Sequence, residues 1–202
     1  MSKVQAVVFD VGRVIVQWDL RCLFEKLIAD ERDLEWFVAN VVTEEWHFQH
    51  DEGRDLAEMV AERKLEFPGH AHLIDAYAAR FPETIPGLVD GTPALVEQLA
   101  ERDMPLFALT NFGAEFWDQF RPTEPLFDHF RDVVVSGVEK VAKPDPRIYE
   151  IAEGRFGHSG PALLFIDDNP ANVATAEARG WQGHLFIDAA RLEEDLSVRG
   201  LL

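Results

Sequence analysis

Short, continuous apolar runs are the feature that most constrains the fold of this chain. They lie at residues 4–9, 105–109, 132–135 and 163–166 and are rich in Val, Ile, Leu and Phe. Runs of this length and composition are typical of parallel strands that are buried on both faces of a sheet. A weaker run at residues 184–187 predicts a fifth strand. Because helix-like segments follow most of these runs, the sequence predicts an α/β fold with a doubly wound, Rossmann-like parallel sheet.

Helix start signals support this alternation. Thr92-Pro93, Asp145-Pro146 and Asn169-Pro170 each place a capping side chain before a proline, and proline is favoured at the first position of a helix. These signals predict helices over residues 94–102, 147–155 and 171–179. Gly180 is expected to close the third helix, since glycine readily adopts the left-handed conformation that follows a helix end.

One long segment after the first strand breaks the alternation. Residues 17–85 contain helical periodicities at 20–29, 33–42, 56–65 and 71–81 and no convincing strand. A helical insertion at this point predicts a cap over the carboxyl end of the sheet. We therefore expect a helical cap at residues 17–86 and a core formed by residues 1–16 and 87–202. Residues 191–202 predict a terminal amphipathic helix that packs on the core.

The charge balance limits the partners that the chain can bind. Asp and Glu total 37 against 19 Lys and Arg, a net charge of −18. Such a charge repels nucleic acid and anionic membranes, so neither is expected as a partner, and an anionic substrate needs a local cation. Cys22 is the only cysteine, which excludes an intramolecular disulfide and a cysteine-based zinc cluster. The sequence shows neither a signal peptide nor a membrane span, so we expect a cytoplasmic protein.

Polar residues stand at the carboxyl ends of the predicted strands, where ligands of parallel α/β sheets bind. Asp10 ends the first run, Thr110-Asn111 ends the second and Asp167-Asp168 ends the fourth, while Lys143 follows the third. Each residue alone is explained as readily by a turn, a helix cap or a solvated side chain. Their joint placement at one edge predicts a site that holds three carboxylates, a hydroxyl and a lysine.

Four motifs in order make the chain resemble the haloacid dehalogenase (HAD) superfamily, and the helical insertion resembles the small cap of one of its subclasses. The motifs are Val7-Val8-Phe9-Asp10-Val11-Gly12, Leu109-Thr110-Asn111, Lys143-Pro144-Asp145-Pro146 and Phe165-Ile166-Asp167-Asp168-Asn169. The resemblance implies an HAD core with a helical cap, and a hydrolase whose covalent chemistry starts from a carboxylate.

The same resemblance implies a role for each residue of the motifs. Asp10 would be the nucleophile, Thr110 and the backbone amide of Asn111 would bind a phosphoryl oxygen, and Lys143 would neutralise the nucleophile and the incoming anion. The implied Mg²⁺ ligands are Asp10, the backbone carbonyl of Gly12, Asp167 and Asp168, an all-oxygen set of the kind that Mg²⁺ prefers. The implied partner is a small phosphate ester.

Gly12 departs from the pattern of phosphatases in this superfamily, which usually carry a second Asp there as general acid and base. Three interpretations stay open. The first is a Mg²⁺-dependent phosphatase of a small metabolite, with sugar phosphates among the candidates, in which the acid is dispensable or comes from Asp19, His47 or His50. The second is a 2-haloacid dehalogenase, which displaces halide and needs no acid, although such enzymes use no metal. The third is a catalytically silent binding protein on the same scaffold. Asp167-Asp168 favours the first.

Overall fold

The computed structural model describes residues 3–202, which form one five-stranded parallel sheet between layers of helices. The strands are β1 (Ala6–Phe9), β2 (Leu106–Thr110), β3 (Asp132–Val135), β4 (Leu163–Asp167) and β5 (Gln182–Leu185). Their order is β3-β2-β1-β4-β5, and all four neighbouring pairs are parallel. The predicted doubly wound α/β fold is confirmed.

The fifth strand begins two residues before the predicted run, at Gln182 instead of His184. Its register pairs Leu164 with Gln182 and Asp167 with Leu185. β5 lies at the edge of the sheet and is only half-buried. The position of an edge strand is set by backbone pairing with its neighbour, and a search for apolar runs does not detect this.

Five α-helices lie between β1 and β2 before the helices of the sheet begin. They are α1 (Arg21–Phe24), α2 (Glu31–Asn40), α3 (Glu44–Asp51), α4 (Leu56–Glu66) and α5 (Ala71–Ala79). The helices that flank the sheet are α6 (Thr92–Glu101), α7 (Ala114–Phe120), α8 (Ser136–Glu139), α9 (Pro146–Phe156), α10 (Pro170–Ala178) and α11 (Ala189–Val198). No helix within residues 3–202 is long and apolar enough to cross a membrane.

Alternate residues of β1 pack into two apolar layers on opposite faces of the sheet. Val7 and Phe9 face a cluster that includes α6, α11 and the helices between β1 and β2. Ala6 and Val8 face a second cluster that includes α9 and α10. Burial on both faces explains why the sequence of β1 is a continuous apolar run.

Two of the three predicted helix starts are confirmed, and one is wrong. Asp145 accepts a hydrogen bond from the backbone N of Arg147, and Asn169 accepts one from that of Ala171. Thr92 does not cap α6, because the helix begins at Thr92 itself and Gly91 precedes it with a left-handed φ of 83°. Gly180 follows α10 with a φ of 85°, as expected for a residue that closes a helix.

Helix α3 was not predicted from the sequence. Thr43 caps it by accepting a hydrogen bond from the backbone N of Trp46. Its buried residues include the polar side chains of His47, His50 and Asp51, so no apolar stripe reveals a helical period. The run predicted over 20–29 contains only the short helix α1 and turns.

The chain leaves the sheet after β1 and returns to almost the same point. The backbone N of Gln17 donates to the carbonyl of Gly87 over 2.8 Å, and Val16 forms an isolated bridge with Leu88. These contacts enclose the helical segment between them. They support the division into a cap at residues 17–86 and a core at 1–16 and 87–202, which stays a prediction.

Helix α3 is docked on the loops that follow β2 and β3. Ser136 Oγ donates to the backbone carbonyl of Asp51 over 2.5 Å and accepts a hydrogen bond from the backbone N of Phe112. The imidazole of His50 packs directly on Gly113, where an added Cβ would lie 2.0 Å from the ring. These contacts fix α3 beside the carboxyl ends of the strands.

Candidate active site

The sheet topology brings the predicted residues to one edge. Asp10 directly follows β1, Thr110 is the last residue of β2, and Asp167 is the last residue of β4. Because β1 lies between β2 and β4, these three positions are neighbours in space. The edge between β1 and β4 is also where the chain order of the strands reverses, which is the usual ligand position in open α/β sheets.

Lys143 connects two of the carboxylates. Its Nζ lies 2.8 Å from Asp10 Oδ1 and 2.7 Å from Asp167 Oδ2, and only 2% of the residue is exposed. Burial alone would lower the pKa of Lys143, but the carboxylates of Asp10 and Asp167 outweigh it and raise that pKa above its ordinary value. The lysine is therefore held as a cation at the base of the site.

Asp167 is fully buried and uses both of its oxygens in hydrogen bonds. The side-chain amide of Asn172 donates to Oδ1 and Oδ2 over 3.0 Å each, and the backbone N of Asn169 donates to Oδ1 over 2.8 Å. Together with Lys143 Nζ these donors occupy the carboxylate. Sequence reasoning missed Asn172, which lies in the first turn of α10 one helical turn after the Asn169 cap.

Asn111 holds the backbone of Lys143 in place. Its side chain accepts a hydrogen bond from Lys143 N over 2.8 Å and donates to Lys143 O over 3.0 Å. Thr110 is fully buried, and its Oγ1 lies 3.5 Å from the carbonyl of Asn111. The predicted phosphoryl-binding roles of Thr110 and Asn111 stay predictions.

Three carboxylates converge with one lysine to balance them. Oxygens of Asp10, Asp167 and Asp168 lie within 4.8 Å of one another. Burial raises the pKa of Asp10 to about 7, against the lowering effect of Lys143. Burial, and then the charge of Asp167, raises the pKa of Asp168 as well. The cluster thus carries more negative charge than Lys143 compensates, and its oxygen-only donors fit a hard divalent cation.

A cavity of about 330 Å³ opens above these carboxylates, between the sheet and the helical segment. Asp10, Gly12 and Asp168 line its floor, and Asn111 and Asn172 also border it. Its remaining walls come largely from the helical segment and include Trp18, Glu44, His47, Phe48, Asp51 and Phe81. Neither Asp167 nor Thr110 is among the lining residues of the described chain.

The rim of the cavity carries an ion pair. Arg13 adopts a left-handed φ of 61°, and its guanidinium lies 2.7 Å from Glu44 Oε1 and 5.1 Å from the centre of the Trp18 ring. Both charged side chains are largely exposed. Arg13 therefore joins the loop after β1 to helix α3 at the entrance of the cavity.

Of the three acids suggested as replacements at Gly12, His47 alone among the described residues lines the cavity. Asp19 is exposed and accepts a hydrogen bond from the backbone N of Arg21. His50 is buried away from the cavity and pairs through Nδ1 with the carbonyl of Arg54 over 2.9 Å. Trp18 and Asp51 also line this wall, where the folded helical segment brings them together.

Comparisons with known proteins identify the family of the chain. The family model for haloacid dehalogenase-like hydrolases matches residues 4–180. A sesquiterpene phosphatase from Aspergillus oryzae is 24% identical over 190 residues, 92% of this chain and 91% of that protein.

Solved structures share the fold. An HAD family enzyme from Bacteroides thetaiotaomicron, in complex with magnesium and inorganic phosphate, is 22% identical with a TM-score of 0.71, covering 94% of this chain and 98% of that one. The L-2-haloacid dehalogenase from Xanthobacter autotrophicus with chloropropionic acid covalently bound is 18% identical with a TM-score of 0.63, covering 98% and 84%. The family model spans most of the chain, and the chain belongs to the haloacid dehalogenase-like hydrolases.

Proposed function

We propose that this hydrolase is a Mg²⁺-dependent phosphatase that acts on a small phosphorylated metabolite through an aspartyl-phosphate on Asp10. The observation that carries the proposal is the position of Asp10. Its carboxylate lies on the floor of the cavity, 2.8 Å from Lys143 Nζ and beside Asp168. A carboxylate in this position can attack phosphorus, and a lysine can neutralise the phosphate that approaches it.

The hydrogen bonds of Asp10 define which oxygen attacks. The backbone N of Val11 donates to Oδ1 over 2.7 Å, and Lys143 Nζ lies beside the same oxygen. Oδ2 then forms the new bond to phosphorus while the bond between phosphorus and the leaving oxygen breaks, and the leaving oxygen takes a proton from water, since Gly12 supplies no carboxyl group. Water next attacks phosphorus, which releases inorganic phosphate and restores the Asp10 carboxylate.

The floor of the cavity would hold the metal ion. Asp10, Asp168 and the backbone carbonyl of Gly12 are the proposed direct ligands, because Asp10, Gly12 and Asp168 line the cavity. Asp167 is occupied by Lys143, Asn169 and Asn172, so we assign it to the positioning of Lys143. A bound magnesium ion supplies positive charge that offsets the carboxylates and the phosphoryl group. One of the structural neighbours is itself a magnesium complex.

Substitutions of the two neighbouring aspartates are expected to differ. Asp168→Asn should raise the Mg²⁺ concentration needed for half-maximal activity by about tenfold or more, since it removes a charged ligand while leaving the buried network intact. Asp167→Asn should instead lower the melting temperature, since it weakens the partner of a buried lysine. Magnesium titrations of activity and thermal unfolding of both variants test this. If Asp167→Asn lost as much magnesium affinity as Asp168→Asn and kept its melting temperature, the assignment of Asp167 to the positioning of Lys143 would be wrong.

A haloacid dehalogenase is the second candidate, because Gly12 leaves the site without the usual acid and halide displacement needs none. The half-buried Asp168 argues against it, since a metal-free enzyme would gain only repulsion from a further carboxylate beside Asp10.

One pair of assays separates the two candidates. We expect hydrolysis of p-nitrophenyl phosphate that is lost when Mg²⁺ is chelated, and no halide release from L-2-chloropropionate. The aryl ester has a good leaving group, so the missing acid matters least there. Metal-independent halide release without phosphate release would replace the phosphatase with the dehalogenase.

A further inference from the structure

Three buried polar atoms of residues that line the cavity have no hydrogen-bond partner among residues 3–202. The carbonyl Oδ1 of Asn172 belongs to the sheet side, whereas the indole Nε1 of Trp18 and the carboxylate Oδ1 of Asp51 belong to the helical wall above Asp10. Only 5% of Asp51 is exposed. Buried polar groups in folded proteins are almost always paired, so a donor and an acceptor left open at one cavity wall indicate a ligand that supplies both partners.

A hydrogen-bonded chain holds this wall in place. The hydroxyl of Tyr77 lies 2.7 Å from His47 Nδ1, and His47 Nε2 lies 3.3 Å from Asp51 Oδ2. Tyr77 can donate to Nδ1 while the Nε2 proton faces Asp51, which leaves Oδ1 as the open acceptor. The backbone carbonyl of Asp51 is fixed by Ser136.

Trp18 lies on the same imidazole. Its ring stacks on His47 with centroids 4.9 Å apart and an interplanar angle of 30°. Trp18 and Asp51 therefore both contact His47, so the two residues that carry the unpaired indole N–H and the unpaired carboxylate oxygen are neighbours in the wall. Phe81 stacks on His47 as well, at 5.5 Å, so apolar ring surface backs the polar atoms.

We propose that this wall, formed by Trp18, His47 and Asp51, binds a hydroxyl group on the leaving alcohol of the substrate, so that the enzyme selects phosphate esters of polyhydroxylated alcohols. A hydroxyl is one group that can both accept the hydrogen bond from Trp18 Nε1 and donate one to Asp51 Oδ1. The inference rests on the proposed phosphatase function and adds the class of leaving group and the residues that recognise it.

Other leaving groups satisfy the wall less well. A carboxylate could accept from Trp18 but would meet the charge of Asp51, whereas the charge of Glu44, which also lines the cavity, is paired with Arg13. An ammonium could donate to Asp51 but has no acceptor for Trp18. A purely apolar alcohol would leave both atoms unpaired, which sites built around substrate hydroxyls reject strongly.

The first test compares four phosphate esters of similar size with the wild-type protein and Mg²⁺. Glycerol 1-phosphate should be hydrolysed with a kcat/KM about tenfold or more above those of n-propyl phosphate, phosphoethanolamine and phosphoglycolate. Equal values, or a preference for any of the other three esters, would overturn the proposal even if every variant failed to fold.

Variants then assign the preference to the two residues. Asp51→Asn should lower the ratio of kcat/KM for glycerol 1-phosphate to that for n-propyl phosphate by about tenfold, and Trp18→Phe should lower it by about threefold. Glu45→Gln, an exposed residue of α3, and Trp36→Phe, on α2, are the matched controls and should leave the ratio unchanged. A ratio that survives Asp51→Asn would remove Asp51 from the proposal.

Binding separates this proposal from the proposed function. In the presence of Mg²⁺, isothermal titration of the Asp10→Asn protein should show that glycerol 1-phosphate binds more tightly than n-propyl phosphate. The expected factor is the same as for kcat/KM, about tenfold. If the Asp10→Asn protein showed this binding preference but the wild type hydrolysed neither ester, the proposed phosphatase function would be wrong and the hydroxyl-binding wall would remain. Turnover of both esters with equal binding would overturn the hydroxyl site alone.

Discussion

Replacement of Asp10 by asparagine is expected to lower phosphate release by about 10⁴-fold or more, the size of loss seen when a covalent nucleophile is removed. Asparagine has nearly the same shape as aspartate but cannot form the acyl phosphate through Oδ2. Lys143 would keep its second partner, Asp167, at 2.7 Å, so the cation stays in place. The measurement is the single-turnover and steady-state release of phosphate from p-nitrophenyl phosphate with Mg²⁺.

Stability provides the control for this variant. Burial raises the pKa of Asp10 to about 7. Between about pH 4 and pH 7 the folded state therefore binds more protons than the unfolded state, in which this carboxyl group has its ordinary pKa. The wild type therefore loses stability as pH rises from about 4 to 7. Asp10→Asn removes this loss and should be at least as stable as the wild type at pH 7 without metal. Thermal unfolding at pH 5 and pH 7 measures it.

An unrelated acid-to-amide change completes the comparison. Asp118 is exposed on α7, and Asp118→Asn should retain full turnover. Substantial phosphate release by Asp10→Asn, in protein whose purity and fold match the Asp118→Asn control, would exclude an aspartyl-phosphate on Asp10.

The strands and the floor of the site could be predicted because local patterns encode them. β1 and β4 are buried on both faces, so their sequences are apolar up to the aspartate at the carboxyl end of each, and these aspartates must lie at one edge of the sheet. Asp10, Asp167 and Asp168 were placed together for this reason, and their oxygens do lie within 4.8 Å of one another. The sequence did not indicate which of the two neighbouring aspartates faces the cavity, because this depends on hydrogen bonds from Asn172 and Lys143.

The walls of the cavity could not be predicted, because long-range packing forms them. Asp51 is fixed by Ser136, which lies 85 residues away, and Trp18 meets His47 only after the chain has folded back. Helix α3 buries polar side chains, and such a helix lacks the apolar stripe by which helices are recognised. The wall that we propose to select the leaving group thus lies where the sequence signal is weakest.

The absent acid at Gly12 leads to the second large expected effect. Gly12→Asp should raise kcat/KM for alkyl phosphates, whose leaving groups need a proton, by about tenfold or more, the lower part of the range for a positioned general acid. The backbone can accept the side chain: a Cβ at Gly12 would have no atom within 4 Å, and Gly12 lines the cavity beside Asp10.

The leaving group distinguishes acid catalysis from other effects of this substitution. Hydrolysis of p-nitrophenyl phosphate, whose leaving group is a weak base, should rise much less than that of n-propyl phosphate in Gly12→Asp. Gly12→Ala, which adds a Cβ without a carboxyl group, should leave both rates near those of the wild type. A new carboxyl group near Asp10 and Asp168 also adds negative charge, so the variant should depend more steeply on Mg²⁺.

Equal gains on both esters, or none, would mean that the natural enzyme does not lack an acid. His47 would then be the group to examine, because it borders the same cavity and is connected to Tyr77 and Asp51 through its two ring nitrogens. In that case His47→Gln should lower hydrolysis of n-propyl phosphate far more than that of p-nitrophenyl phosphate. The rates at which Gly12→Asp and His47→Gln hydrolyse the two esters therefore show whether the proton donor lies on the sheet side or on the helical side of the cavity.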